Sequence, residues 1–223
     1  DFHRSFYGAG NAVVTVVGDL SPDSVLAWAE RYLSPVPPGL PPPAPGGDGD
    51  DPMPPPAGER RLELALDARP LLRMGWRVPD SSHPDAPALA MLSVLLTGSR
   101  SARLHRSLVR ERGMATSVSS STEPGVLQPG LFVITAEPRA SSGVAEIEAA
   151  IEAELARLAA DPPGESELGR VRTQLRAARV RRLRTNLGLA LHLSDSRTLR
   201  GDWRWGLDFP ERMGRVTPEN VSE

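Results

Sequence analysis

The sequence predicts an α+β fold in which a mixed or antiparallel sheet packs against helices. Three observations point that way. Short runs with strand character, "NAVVTVVGD" and "RMGWRV" among them, are interspersed with helix-period runs. Two strand-like stretches, Ala115 to Ser120 and Leu131 to Ala136, flank the loop "TEPGVLQPG". From Val144 onward the chain is dominated by long amphipathic segments.

Taken in order, Asn11 to Asp19 is a β-branched apolar run closed by Gly-Asp, the pattern of a strand buried on both faces. A helix should follow it. Ser21 is placed as N-cap, Pro22 as the first helical residue and Asp23 as a negative charge in the first turn, with Val25, Trp28, Ala29 and Tyr32 on one apolar face. Eleven of the 22 residues from Pro35 to Pro56 are proline, which fixes φ and removes donors, so an extended linker is expected. Beyond it, alternation at Leu62, Leu64 and Leu66 and again at Met74, Trp76 and Val78 predicts two half-buried strands.

Leu89, Leu92, Leu95 and Leu96 fall at helical spacing and stop at Gly98; "SARLHRSLVRERG" repeats the pattern with Ser101 as cap, Leu104 and Leu108 inside and Gly113 as the stop. Ile147, Ile151, Leu155 and Leu158 line one face of the next helix. The run "ESELGRVRTQLRAARVRRLRTNLGLALHL" follows, with Leu168, Val171, Leu175 and Leu183 on its packed side and seven arginines between Arg170 and Arg184, a pattern usual for a solvated face. The last residues, "VTPENVSE", announce one more helix with Thr217 as N-cap. An unstarted beginning and an unfinished end are expected of a piece of a longer protein.

Composition narrows the function classes. A formal charge of -2 gives no electrostatic reason to expect nucleic acid or an anionic membrane as partner, and no run approaches the ~18 apolar residues of a membrane span. All 26 basic residues are arginine, the mark of a GC-rich genome. The absence of cysteine removes disulfides, thiolate metal sites and cysteine nucleophiles together. His3, His83, His105 and His192 have no second histidine three or four positions away, so no helical zinc pair exists in this stretch, and His105 reads as a surface histidine. "GAGNAV" precedes its strand and lacks the third glycine of a dinucleotide loop; "GSRSA" lacks the closing glycine of a nucleophile elbow. Asp48, Asp50 and Asp51 lack the spacing of a calcium loop.

Five segments carry a resemblance: "YGAGNAVVTVVGDLSPDSVLAWAERYLSPVP", "SSHPDAPALAMLSVLLTGSRSARLHRSLVRERGMATSVSS", "PGLFVITAEP", "ESELGRVRTQL" and "VTPENV". In this order the chain resembles the insulinase/pitrilysin-type (M16) metallopeptidase family, which includes the mitochondrial processing peptidases. The resemblance implies an M16-type α/β roll. Residues 1–38 would be the final strand and helix of a preceding domain of the same kind, 39–58 a Pro/Gly/Asp-rich linker, and 59–223 a second domain cut short at its end. It also implies that an inverted zinc motif, His-x-x-Glu-His with a distal glutamate, lies upstream, so that zinc belongs to the parent and no cofactor to this stretch. The implied role is non-catalytic. This part would wall a chamber admitting unfolded peptides, with the zinc-bearing domain in the same chain or in a partner subunit; the alternative is a binding module that shares only the fold. Some members place an arginine and a tyrosine, seven residues apart, against the peptide. In "LVRERGMATSV" those positions hold Val109 and Thr116, leaving Arg110 and Thr116 as the candidate substrate-contacting residues. Arg110 is one place off register, a turn of about 100° on a helix.

Overall fold

Each strand of the sheet is antiparallel to its neighbour, and the last in sequence lies in the middle. In the computed structural model, which describes residues 3, 6–40, 58–123, 129–140 and 142–222, β1 (Leu72–Val78), β2 (Ala115–Glu123) and β3 (Gly130–Pro138) are ordered β1-β3-β2. β3 pairs Ile134 with Met74 on one side and with Ser120 on the other. Its sequence, "GLFVITAEP", suits that position: β-branched and aromatic side chains fit a pleated surface covered by other elements, and Phe132, Val133, Ile134 and Ala136 are all buried. β2 is richer in serine and is buried only at Ala115 and Val118.

The helices supply the opposing apolar surface. α1 (Pro22–Leu33) lies before the sheet; α2 (Ala86–Thr97) packs on β2, and a π-helix (His105–Glu111) joins it to that strand. α3 (Val144–Ala160), α4 (Glu165–Leu183), α5 (Asn186–Arg200), α6 (Phe209–Gly214) and α7 (Pro218–Ser222) complete the order. Met91 and Leu96 of α2, Leu104 and Leu108, Ile134 of β3, Ile147 and Ile151 of α3, Leu168 of α4 and Met213 of α6 meet in one core. Burying each such side chain contributes about 1.5–3 kcal/mol.

Several sequence expectations change in the folded chain. Residues 12–17 form no strand, and no neighbouring segment supplies a ladder: Val14 is 66% exposed. Leu62, Leu64 and Leu66 are likewise unpaired, Leu64 being 70% exposed, because β1 starts only at Leu72. An alternating pattern makes a segment competent for a sheet, but without an edge to join it stays extended and uncovered. α1 forms where Ser21-Pro22 predicts, without a side-chain cap bond, yet none of its residues is buried and Trp28 is 53% exposed. Of the linker expected at 39–58, residues 41–57 lie outside the described residues, as does part of the "TEPGVLQPG" loop at 124–128.

The arginine-rich run is two helices. Thr185 accepts a hydrogen bond from the Gly188 amide (3.0 Å) and caps a new helix, α5. Glycine is required there because a Cβ at Gly188 would sit 1.8 Å from the Arg182 carbonyl oxygen. The segment expected as an ordinary helix after Ser101 winds instead as a π-helix, with the Arg112 amide donating to Ser107 O at 3.0 Å. His105 on it is half-buried, not a surface residue, and its Nδ1 has no partner among the described residues.

The core assignment gives a direct test. Ile151→Ala, at a fully buried position, is expected to lower unfolding free energy by about 2–5 kcal/mol. Leu64→Ala should change it by less than about 0.5 kcal/mol. Urea titration of both variants measures the difference, and equal losses would place Leu64 in a packed interior.

Candidate functional site

The candidate residues lie where the π-helix turns into β2. Arg110 is on the last turn of that helix and exposed, while Val109 is half-buried against the core. The backbone then reverses: Met114 N donates to Leu108 O (2.8 Å), and Gly113 adopts φ +62°, a conformation that favours glycine. Thr116 follows two residues into β2. It sits at a register irregularity, since Ala115 pairs with Pro138 and Ser117 with Glu137, leaving Thr116 without its own partner. That is a β-bulge, a device that re-aims a side chain at the end of a strand.

Thr116 Oγ1 donates toward Glu137, at 3.3 Å from its carbonyl oxygen and 3.2 Å from Oε2. Arg139 locks the strand ends: its amide donates to Met114 O (2.8 Å) and its Nε to Ala115 O (3.4 Å). Arg110 and Thr116 thus flank one turn, on different elements. Glu137 was not singled out by the sequence, where it is one carboxylate after an apolar strand; only the bulge register reveals that it faces Thr116.

The start of the π-helix segment is pinned from the other side. Arg103 Nε and Nη2 donate to Glu167 Oε1 and Oε2 of α4 at 3.2 and 2.8 Å, a two-pronged pair that is largely covered. The hydrogen bond from Arg103 holds the Glu167 carboxyl below its usual value, against the opposing effect of burial.

A hydroxyl, a carboxylate and a guanidinium border the turn, and among the described residues the hydrogen-bond partner of the Thr116 hydroxyl is Glu137. A zinc ion does not fit the described residues. No group of three or more His, Asp or Glu side chains converges among them, and the two histidines with unpartnered buried nitrogens, His105 and His192, belong to different helices.

A second feature is the arginine-rich α4. Leu168 and Val171 face inward, and Arg172 is held by Glu165 (3.0 Å) and by the Val216 carbonyl (2.7 Å). Burial and the neighbouring Arg182 lower the Arg179 pKa, while Asp208 opposes them. His192 of α5 is also lowered, first by burial and then by Arg179 and Arg182. Among the described residues, Arg172 is the α4 arginine that forms an ion pair.

The described residues thus form an α+β domain with a bulged turn at one sheet end and no cluster of three or more metal-ligating side chains. The sequence profile of the family described as "Peptidase M16 inactive domain" matches residues 1–175, and the chain belongs to that family. Among solved structures, a protease from Helicobacter pylori superposes with a TM-score of 0.72 at 16% identity, covering 92% of this chain and 49% of its own. A peptidase M16 inactive domain from Pseudomonas fluorescens gives 0.72 at 20% identity, with 96% and 50% covered. The inactive peptidase domain of a proposed zinc protease from Bordetella parapertussis gives 0.62 at 23% identity, with 72% and 84% covered. At these identities the likeness is one of fold. This chain spans about half the length of the first two. A comparison with curated proteins gives no match.

The Arg103–Glu167 pair makes a pH prediction. Because Glu167 has a depressed pKa in the folded state, its contribution to stability is present above the unfolded carboxylate value of about 4.3 and is lost as pH falls through the folded value. Denaturant titration from neutral pH to below pH ~4 should show Glu167→Gln less stable than wild type at neutral pH, with the gap narrowing in acid. A gap that stays constant with pH would contradict the pairing.

Proposed function

We propose that this chain is the non-catalytic, chamber-forming part of a zinc-dependent endopeptidase of the M16 type that acts on unfolded peptides. The observation that carries the reading is the match to the inactive domain over residues 1–175, in a chain whose described residues contain no cluster fit for zinc. Zinc, on this reading, is held by a preceding domain of the same protein, or by a partner subunit, and supplies Lewis-acid and water-activating chemistry there.

The part played by this chain is binding and exclusion of water. Residues 1–38 end the preceding domain, 39–58 link it to the next, and 59–223 form the second. The uncovered valines of residues 13–16 and the bare apolar face of α1 support this division, since both have the sequence of buried elements and neither has cover. Thr116 and Arg110 border the peptide path. Thr116 keeps a hydroxyl at the family's tyrosine position, already engaged with Glu137, and Arg110 presents a charge from the adjacent turn.

The test starts from the coding sequence immediately upstream of Asp1. A longer chain with a His-x-x-Glu-His motif there is expected to cleave an unstructured peptide, with activity abolished by a chelator, while the 223-residue chain given zinc stays inactive. A longer chain without the motif that becomes active only with a second subunit supports the partner form of the reading. Chelator-sensitive cleavage by the 223-residue chain alone would overturn it.

A further inference from the structure

Charge is segregated along this sequence. Residues 168–200 contain nine arginines and one acid, Asp195, in a chain whose formal charge is -2. Part of that excess has an internal explanation. Arg172 is paired with Glu165, and Arg181 and Arg182 stand in the last turn of α4, where the helix dipole favours cations. The dipole does not account for Arg170 or Arg176, which lie further back. Among the described residues no carboxylate comes within ion-pair distance of Arg170, Arg176, Arg179, Arg181, Arg182 or Arg184.

Two of these arginines share a face. Arg170 and Arg181 are eleven positions apart, three turns plus about 20°, so they point the same way with roughly 16–17 Å of helix between them. They stand at the two ends of a shallow depression of about 580 Å³ whose floor is Gly169, Thr173 and Ala177. The small floor residues allow a chain to lie close to the helix, and the arginines supply the directional contacts. An extended polypeptide advances about 3.3 Å per residue and alternates its side chains between two faces, so carboxylates six residues apart share a face and stand about 20 Å apart, a difference the long arginine side chains can span.

We propose that the outer face of α4 binds an extended acidic stretch of polypeptide, with carboxylates six residues apart, on one face of the extended chain, seated on Arg170 and Arg181. The inference rests on the peptide-chamber reading above and gives it a substrate class. Guanidinium forks match carboxylates in two-pronged geometry, so the contact selects for Asp and Glu. A nucleic acid is the weaker fit, because α4 has no aromatic side chain on which bases could stack.

The experiment is a fluorescence-anisotropy titration of the whole 223-residue chain with short labelled peptides of Gly, Ser and Ala at low salt. One peptide carries two glutamates six positions apart, one carries them adjacent, and one carries none. The expected order is six-apart over adjacent over none, with about tenfold between the first two, equivalent to about 1.4 kcal/mol. The double variant Arg170→Gln/Arg181→Gln should erase that difference, and Arg170→Lys/Arg181→Lys should restore part of it. Circular dichroism checks the fold of each variant, both positions being exposed. Equal binding of all three peptides, or full affinity in the Gln variant, would overturn the acidic preference and leave the peptide-chamber reading in place. No binding of any peptide would count against both. A single-stranded oligonucleotide that outcompetes the six-apart peptide would overturn the assignment in favour of nucleic acid.

Discussion

Hydrogen bonding along both edges of β3 is the constraint from which the rest of the domain takes its position. A central strand cannot turn its backbone to water, so it must be paired on each side, and β1 and β2 are both aligned on it by register. The same strand fixes the core, because Phe132, Ile134 and Ala136 set the surface onto which α2 and α3 pack. The bulge at Thr116 also follows from β3: it is the point where β2 runs out of register with Pro138 and Glu137. Sheet geometry thereby brings a hydroxyl and a carboxylate to the turn beside Arg110.

Cover is uneven over the molecule. From β1 onward the apolar side chains of strands and helices mostly find partners, whereas Val13, Val14, Val16, Trp28 and Tyr32 before it, and Leu62, Leu64 and Leu66 just ahead of β1, remain exposed. Val13–Val16 lie beside Leu193, Arg197 and Trp203, and Arg61 next to Leu62 pairs with Glu148 of α3. On the proposed domain division, a preceding domain would cover these exposed apolar side chains.

Much of this was legible from residues alone, and the failures share one cause. β2, β3, α2 and α3 formed within a few residues of their predicted places because periodicity and end signals agreed, as at Gly98 after α2. Leu62–Leu66 and Val13–Val16 have the right pattern for strands, but strand formation needs a neighbour, which local sequence does not contain. The break between α4 and α5 was missed because arginine and leucine run through it at helical spacing; the decisive fact, close approach at Gly188, is tertiary. Of the site, Arg110 and Thr116 came from a motif alignment, while the bulge and Glu137 came only with the register. The π-helix has no signal in "HRSLVRE" that distinguishes it from an α-helix.

The central claim is that this chain is one part of a two-part peptidase, with its amino-terminal segment made to pack against the other part. Hydrogen exchange of residues 12–17 and of α1, measured in the 223-residue chain and in the longer parent, tests it most directly. The account predicts fast exchange in the short chain and strong protection in the parent. Equal protection in both would contradict it, because the segment would then be complete without any covering domain.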